Sequence, residues 1–293
     1  MEASVATVLI TGTSKGIGHI TALTLARAGH TVYATLRNPS RATELAAEFA
    51  RLSLPIHISV MDVDSDDSVA TAISAIYQAA GDIDVLVNNA GVERNGSIEE
   101  LSMADIRACM ETNYFGAIRC AKAVIPHMRK RRSGCIINVT SVAGRVSTSP
   151  LGVYAASKHA LEAASDALAQ EMKTFNVRVA VVEPGIIDTP MAQEIGEPNP
   201  NSHYPQQRRM AHYFAAALTT PRPPLLVAEK IQNIIESGTW QFRHPVGPGA
   251  QELLDSRRAT ADEDNIAFHA TADDDTWYSA MEHATGMTIR PKN

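Results

Sequence analysis

The strongest constraint on the fold is a regular alternation of short β-branched runs with longer Ala- and Leu-rich runs over residues 5–187. The short runs are apolar on both faces, which is typical of strands covered by helices on both sides. They occupy 5–11, 31–36, 56–63, 82–89, 134–141, 177–184 and, after a gap, 239–246, with helices expected near 18–28, 41–52, 66–80, 102–131 and 153–173. This pattern predicts an α/β fold, a doubly wound parallel sheet of about seven strands in three α/β/α layers.

The chain is predicted to form a single domain over 1–293, because no linker interrupts the alternating region. Residues 188–227 are rich in Pro, Asn and Gln, with a helical segment near 206–218, and are expected to form a substrate-binding loop or lid. Residues 247–293 are expected to be a helical extension. Its acidic stretches TADEDN and TADDDTW suit helix N-termini better than metal ligands, so no metal site is predicted.

Charge and cysteine content exclude several classes of protein. The net charge is −6, and the one basic cluster, Arg129 to Arg132, is best explained as the last turn of a helix, so nucleic-acid binding is not expected. The three cysteines, Cys109, Cys120 and Cys135, have no metal-binding spacing and are expected to be reduced thiols. No run approaches the length of a membrane span, and a cytoplasmic location without membrane association is expected.

A glycine-rich turn follows the first strand. The sequence TGTSKGIG at residues 11–18 joins this strand to a helix, and its glycines would bring backbone N–H groups close to a bound pyrophosphate at the helix N-terminus. The alternative is a purely structural turn. Asp62, at the end of the third strand, lies at the sheet edge where such folds bind ligands, although by itself it is an ordinary strand-end residue.

Tyr154 and Lys158 lie four residues apart in an Ala- and Leu-rich helical run, so they share one helix face. Taken alone, the pair is either an ordinary surface pair or a phenol whose pKa is lowered by a neighbouring ammonium. The second arrangement would give a group able to exchange a proton with a substrate near neutral pH.

These features, with NNAG at 88–91, Asn113 in ETNYFG, Ser141 in NVTSVAG and the Pro184-Gly185 pair, resemble the short-chain dehydrogenase/reductase family in order and spacing. The resemblance covers about residues 5–190. It implies a Rossmann fold and an oxidoreductase that transfers a hydride between a nicotinamide cofactor and a ketone or secondary alcohol.

By this resemblance, Tyr154 would be the general acid and base, and Lys158 would tune it and bind the nicotinamide ribose. Ser141 would hydrogen-bond the substrate oxygen, and Asn113 would hold a water that links Lys158 to solvent. The alternatives are that Ser141 caps a turn and that Asn113 marks a helix kink. The cofactor would further contact Gly12, Ser14, Lys15, Gly16, Ile17, Gly18, Arg37, Asp62, Val63, Asn89, Ala90, Gly91, Pro184, Gly185 and Thr189.

The second strand favours NADP(H) over NAD(H). Family members that use NAD usually have an acid after this strand to bind the ribose 2′-hydroxyl, and here that position is Leu36. Arg37 follows, and Lys15 lies in the glycine turn, so two cations are placed to bind a 2′-phosphate.

The stretch VYATLR resembles the branch that contains estradiol 17β-dehydrogenase and photoreceptor retinol dehydrogenase, which implies a bulky apolar substrate. The resemblance also implies a homodimer or homotetramer that acts on a small molecule. Two other classes are weighed: an NADP(H)-binding regulator without turnover, and a methyltransferase on a similar sheet. Both are disfavoured by the intact Tyr154 and Lys158.

Overall fold

The computed structural model describes residues 5–291. Its seven strands form one parallel sheet in the order β3-β2-β1-β4-β5-β6-β7. The strands are β1 (Thr7–Thr11), β2 (Thr31–Leu36), β3 (Ile56–Val60), β4 (Val85–Asn88), β5 (Gly134–Val139), β6 (Val177–Pro184) and β7 (Arg243–Val246). Strand order reverses between β1 and β4, and ligands bind beyond the carboxyl ends of the strands at such a point.

The helices follow the predicted alternation over the first two thirds of the chain. They are α1 (Gly16–Arg27), α2 (Pro39–Arg51), α3 (Asp66–Ala80), α4 (Met103–Met110), α5 (Gly116–Arg131), α6 (Gly152–Lys173), α7 (Pro190–Ile195), α8 (Pro205–Ala217), α9 (Leu225–Ser237), α10 (Ala250–Ala259), α11 (Asp262–Ala270) and α12 (Asp274–Thr285). The predicted α/β doubly wound sheet of seven strands is therefore confirmed. Among the helices of residues 5–291, none is both long and apolar enough to cross a membrane.

Alternate residues of the central strands enter two separate cores. Val8 and Ile10 pack with α1 and α9 on one face of the sheet. Leu9, between them, packs with α3 and α5 on the other face. This two-sided burial explains why the strands are apolar throughout.

Several element boundaries differ from the prediction. β3 ends at Val60 rather than at residue 63, because its partner β2 ends at Leu36, the residue opposite Val60. β7 is limited to Arg243–Val246. The predicted helix at 102–131 is divided by a π-helical segment at Glu111–Phe115. Helix α9, which the sequence analysis did not identify, places Val227, Ile231 and Ile234 at helical spacing on the sheet.

The charged clusters at helix ends have structural roles, as predicted. The basic cluster forms the last turn of α5, where Arg131 binds the Asp84 carboxylate at 2.9 Å. Asp273 caps α12 by accepting a hydrogen bond from the Thr276 N–H at 2.8 Å. The three cysteines are free thiols and are buried.

Candidate active site

Tyr154 and Lys158 lie one turn apart in α6 and face the carboxyl end of the sheet. The Lys158 Nζ atom lies 5.7 Å from the centroid of the Tyr154 ring. It donates a hydrogen bond of 3.0 Å to the carbonyl of Val139, the last residue of β5. Lys158 is only 4% exposed, so this carbonyl positions an ammonium that water scarcely reaches.

Burial changes how both groups titrate. It lowers the pKa of Lys158 to about 8, and the charges of Cys109 and Glu162 only partly oppose it. Burial also raises the pKa of Tyr154 well above its usual value, against the lowering effect of the Ser141 hydroxyl. The chain alone therefore holds Tyr154 as a neutral phenol at neutral pH, which is the form that can donate a proton.

Ser141 lies between the ends of β5 and β6. Its hydroxyl donates to the Pro184 carbonyl at 3.3 Å and accepts from the Ala143 N–H at 3.1 Å. Ser141 thus caps a short 3₁₀ turn, Val142–Gly144, and also lines the cavity that contains Tyr154. The two interpretations of this serine are compatible.

Asn113 lies in the π-helical segment and is 1% exposed. Its Oδ1 accepts from the Val92 N–H at 2.8 Å, and its Nδ2 donates to the Val92 carbonyl at 2.9 Å and to Ser157 Oγ at 2.9 Å. The Ser157 hydroxyl in turn donates to the Tyr154 carbonyl at 2.7 Å. The helix irregularity therefore connects the chain after NNAG to helix α6.

The glycine turn forms an open cradle at the N-terminus of α1. Gly12 and Gly16 have φ values of +70° and +62°, which residues other than glycine rarely adopt. A Cβ atom on Gly12 would lie 2.7 Å from the Ala90 Cα atom. The first turn of α1 has no side-chain cap and no acidic residue, so its N–H groups are available to an anion such as a pyrophosphate.

Gly18 has a packing role instead. A Cβ atom there would lie 2.4 Å from both the Gly12 carbonyl oxygen and Asn89 Nδ2. Asn89 Nδ2 donates to the carbonyls of Thr11 and Gly12 at 2.9 and 3.0 Å. Asn89 therefore holds the glycine turn in place, and Gly18 leaves it the necessary room.

A cavity of about 1,090 Å³ brings the predicted residues together. All of the predicted catalytic and cofactor residues line it except Gly18 and Asn113. Thr189 caps the N-terminus of α7, and its methyl carbon would lie 3.5 Å from a Cβ atom on Gly16, so the segment after β6 approaches the glycine turn. The cavity therefore extends from the cradle to Tyr154, as an extended dinucleotide requires.

The region beyond β2 has the predicted cations and no acid on the strand end. Leu36 ends β2 and is 4% exposed, whereas Arg37 is exposed at the cavity. Burial raises the pKa of nearby Asp64, and hydrogen bonding from Thr112 and the Arg37 charge oppose that rise. The Lys15 Nζ atom lies 4.0 Å from the carboxylate of Glu194 in α7, which also lines the cavity.

The C-terminal helices form a wall of the cavity, which the sequence analysis did not foresee. Phe268 of α11 and Trp277 and Met281 of α12 line it, facing Met210 and Tyr213 of α8. Arg209 of α8 is 1% exposed and donates to Asp274 Oδ1 at 2.8 Å and to the Thr271 carbonyl at 2.7 Å. Trp277, Tyr278 and Met281 lie at helical spacing, and this is the sequence signal that could have indicated a buried helix face.

A pair of buried acids lies behind Lys158. Glu162, one turn further along α6, and Glu183 of β6 are 4% and 0% exposed. Burial raises the pKa of both carboxyls, while Arg145 and Arg243 oppose it. The Arg243 Nε atom lies 3.1 Å from Glu162, so these acids are part of a charged network beneath the site.

Most of the chain matches a known protein family. The family model described as short chain dehydrogenase matches residues 6–200. The chain is 40% identical over 182 residues to 3-ketodihydrosphingosine reductase of Bacteroides thetaiotaomicron, covering 62% of this chain and 64% of that protein. It is 42% identical over 193 residues to human retinol dehydrogenase 8, covering 64% of this chain and 61% of that protein. The matched region thus spans less than two thirds of either relative.

A variant of actinorhodin polyketide ketoreductase solved with NADPH has the same fold, with a TM-score of 0.75 and 26% identity. The alignment covers 84% of this chain and 97% of that one. The matched family model spans strands β1 to β6, the cradle and the Tyr154–Lys158 helix. The chain belongs to the short-chain dehydrogenase/reductase family.

Proposed function

We propose that the protein is an NADP(H)-dependent oxidoreductase that interconverts an apolar ketone and its secondary alcohol, with Tyr154 as general acid and base. The observation that carries this proposal is the single cavity in which the glycine cradle, Ser141, Tyr154 and Lys158 meet. Membership of a dehydrogenase/reductase family and the NADPH-bound ketoreductase with the same fold support it.

The choice of NADP(H) is supported by charge. Arg37 and Lys15 both line the cavity, and Leu36 stands where an acid would bind a ribose 2′-hydroxyl. A guanidinium can bind a 2′-phosphate with two parallel hydrogen bonds. The cradle at α1 would hold the pyrophosphate, Asn89 to Gly91, Asp62 and Val63 would contact the adenosine side, and Pro184, Gly185 and Thr189 would contact the nicotinamide end.

The reaction needs a hydride, which the bound nicotinamide supplies, and a proton, which the protein supplies. In the direction of reduction, the Tyr154 hydroxyl donates its proton to the carbonyl oxygen as negative charge develops there. The Ser141 hydroxyl stabilises that oxygen by donating a hydrogen bond. The Lys158 ammonium, held by the Val139 carbonyl, stabilises the phenolate that remains and binds the ribose.

The cavity wall supports a bulky apolar substrate. Met191 and Ile195 of α7, Met210 and Tyr213 of α8 and the C-terminal residues Phe268, Trp277 and Met281 surround the end of the cavity beyond Tyr154. The two curated relatives are named for ketodihydrosphingosine and for retinol, which is consistent with this lining. A homodimer or homotetramer stays a prediction from the family resemblance.

The test is a panel of apolar ketones and secondary alcohols, followed by the absorbance of NADPH. We expect turnover of apolar ketones by the wild type, and a loss of about 10²–10⁴-fold in kcat for Tyr154→Phe, because general acid catalysis is worth about that much. Binding of NADPH should persist in this variant. Tyr204→Phe is the matched control, since that phenol binds Glu99 on the surface and does not line the cavity.

Turnover that survives Tyr154→Phe would show that Tyr154 is not the acid. NADPH binding without turnover of any ketone or alcohol would instead support a regulator that only senses the cofactor. Turnover only of substrates that have neither a carbonyl nor an alcohol group would refute the reaction type.

A further inference from the structure

Glu93 is a carboxylate in the cavity wall that the proposed reaction does not use. It follows the NNAG stretch by two residues and lines the same cavity as Tyr154 and Lys158. Its Oε1 atom is buried and receives no hydrogen bond from any residue in the described range 5–291. Buried carboxylate oxygens are almost always paired, because leaving one unpaired costs free energy. The unpaired atom therefore points to a partner that comes from outside the chain.

The backbone beside Glu93 is fixed relative to Tyr154. The amide of Asn113 binds both the N–H and the carbonyl of Val92, at 2.8 and 2.9 Å. The same amide donates to Ser157, whose hydroxyl donates to the Tyr154 carbonyl. A Cβ atom on Gly91 would lie only 3.6 Å from Lys158 Nζ, so the loop that carries Glu93 runs directly beside the reacting groups. The backbone that carries Glu93 is thus fixed next to Tyr154 and Lys158.

No cation among residues 5–291 forms an ion pair with the Glu93 carboxylate. Within residues 5–291, no Lys, Arg or His nitrogen lies within 4.0 Å of its carboxylate. Arg94 next to it donates to the Glu93 main-chain carbonyl at 2.9 Å, and its Nε atom lies 3.2 Å from Asp105 instead. Glu194, which also lines the cavity, adds a second negative charge and has Lys15 as its neighbour.

The pKa of the Glu93 carboxyl reflects its burial and the charges around it. Burial raises the pKa of Glu93 to about 7, with Arg94 opposing the rise and Glu194 adding to it. The Glu93 charge also raises the pKa of Tyr154 and of Cys109, which face it. A positive group placed beside Glu93 would offset its negative charge and so oppose the rise in the pKa of Glu93, Tyr154 and Cys109. A neutral hydroxyl would leave that charge uncompensated.

We propose that Glu93 binds an ammonium group of the substrate, so that the preferred substrate is an apolar ketone or alcohol that carries an amine close to the reacting carbon. This inference rests on the proposed oxidoreductase activity. The amine takes no part in the bonds that change: the hydride adds to the carbonyl carbon, and Tyr154 gives its proton to the oxygen. The ion pair between this amine and Glu93 fixes which carbon of the substrate lies beside Tyr154 and which face of its carbonyl receives the hydride. In a site with little water, such a pair is stronger than a neutral hydrogen bond.

The experiment compares three ketones of equal chain length that carry an ammonium, a hydroxyl or a methyl group on the carbon next to the carbonyl. Each is reduced with NADPH by the wild type, by Glu93→Gln and by Glu252→Gln. The last is the matched control, because Glu252 is an exposed carboxylate that also lines the cavity. Glutamine keeps the size of the side chain and removes only the charge.

We expect the wild type to prefer the ammonium ketone, and Glu93→Gln to reduce kcat/KM for it by about 10–100-fold, the range for losing a charge-assisted hydrogen bond. The methyl ketone should be reduced equally well by both, and Glu252→Gln should behave as the wild type with all three. Thermal melting of Glu93→Gln at or above the wild-type temperature would show that the loss does not come from unfolding.

Two results would overturn the inference. One is an equal loss with all three ketones in Glu93→Gln, and the other is a wild type that reduces the ammonium ketone no better than the methyl ketone. If the methyl ketone is reduced and the ammonium ketone is not preferred, only the role of Glu93 fails. If no ketone is reduced while NADPH still binds, the proposed function itself fails.

Discussion

The Lys158 ammonium lies 5.7 Å from the centre of the Tyr154 ring, and its hydrogen bond to the Val139 carbonyl holds it there. Two ionisable groups thus share a site that burial makes unfavourable for charge on either of them. Burying a charged group destabilises the folded protein and not the unfolded chain. The free energy of unfolding should therefore depend on pH.

Lys158→Met should change that dependence. The pKa of Lys158 is about 8 in the folded protein, against 10.5 for an unperturbed lysine, so the unfolded chain binds more protons between these values. The contribution of Lys158 to the free energy of unfolding consequently rises as the pH increases from about 8 to 10.5. Relative to Lys158→Met, the wild type should gain up to about 3 kcal/mol of unfolding free energy between pH 7 and 10, since one pKa unit is worth about 1.4 kcal/mol.

Urea denaturation of both proteins at several pH values measures this difference. Lys122→Met, at an exposed position of α5, is the control and should show a constant difference from the wild type. A constant difference for Lys158→Met as well would mean that Lys158 titrates as an ordinary lysine.

Cofactor preference should respond to the residues that follow β2. Leu36→Asp should lower the ratio of kcat/KM for NADPH to that for NADH by about 100-fold, because it repels a 2′-phosphate and can accept from a 2′-hydroxyl. Arg37→Ala should weaken the binding of NADPH and leave the binding of NADH unchanged. Since Leu36 is buried and Arg37 is exposed, the second variant separates recognition from destabilisation. A wild type that prefers NADH would refute the assignment before either variant is made.

Local motifs allowed much of the site to be predicted from the sequence. The glycine turn and the Tyr154–Lys158 spacing each determine geometry within a few residues, and the sheet order then brings strand ends together at one edge. Strands buried on both faces made the α/β class evident. Membership of the family followed from the joint occurrence of these motifs.

Other features depended on packing that short stretches of sequence do not reveal. Helix α9 follows a segment rich in proline, and its apolar face has meaning only against the sheet that it covers. The π-helical segment places Asn113 in contact with Val92, 21 residues earlier in the chain. The C-terminal wall requires α8 and α12 to meet, and the residues of that contact lie more than 60 positions apart.

Met281→Ala should alter substrate choice without altering cofactor binding. Met281 lines the end of the cavity that we assign to the substrate, on the C-terminal wall. Loss of its contacts should lower kcat/KM for a bulky apolar ketone by about 10-fold, because one to a few lost methylene contacts are worth about 1–3 kcal/mol. A small ketone and the affinity for NADPH should be unaffected.

The control for that change is Ile266→Ala, on the same C-terminal region but 64% exposed and outside the cavity lining. It should reduce both ketones as the wild type does. If Met281→Ala has the kcat/KM of the wild type for both the bulky and the small ketone, the substrate binds elsewhere in the cavity.

Arg209→Ala should detach the C-terminal wall from α8. The Arg209 guanidinium is buried, binds Asp274 and the carbonyls of Thr271 and Ala272, and lies 5.7 Å from the centre of the Trp277 ring. Asp274 keeps its pair with Arg208, but the carbonyls of Thr271 and Ala272 lose their charged donor, and a hydrogen bond to a charged group is worth about 1.5–3 kcal/mol. We expect a loss of about 3 kcal/mol in unfolding free energy, together with faster proteolysis after residue 260.

Arg41→Ala is the matched control, because the Arg41–Glu44 pair on α2 is exposed, at 43% and 64%, and such pairs contribute less than about 1 kcal/mol. Proteolysis, denaturation and NADPH titration of the two variants can be compared directly. NADPH affinity should survive in Arg209→Ala, since the cradle, Arg37 and Lys15 belong to the first part of the chain, whereas turnover of a bulky ketone should fall. Unchanged turnover in a variant whose C-terminal helices are cleaved would show that they do not form part of the substrate site.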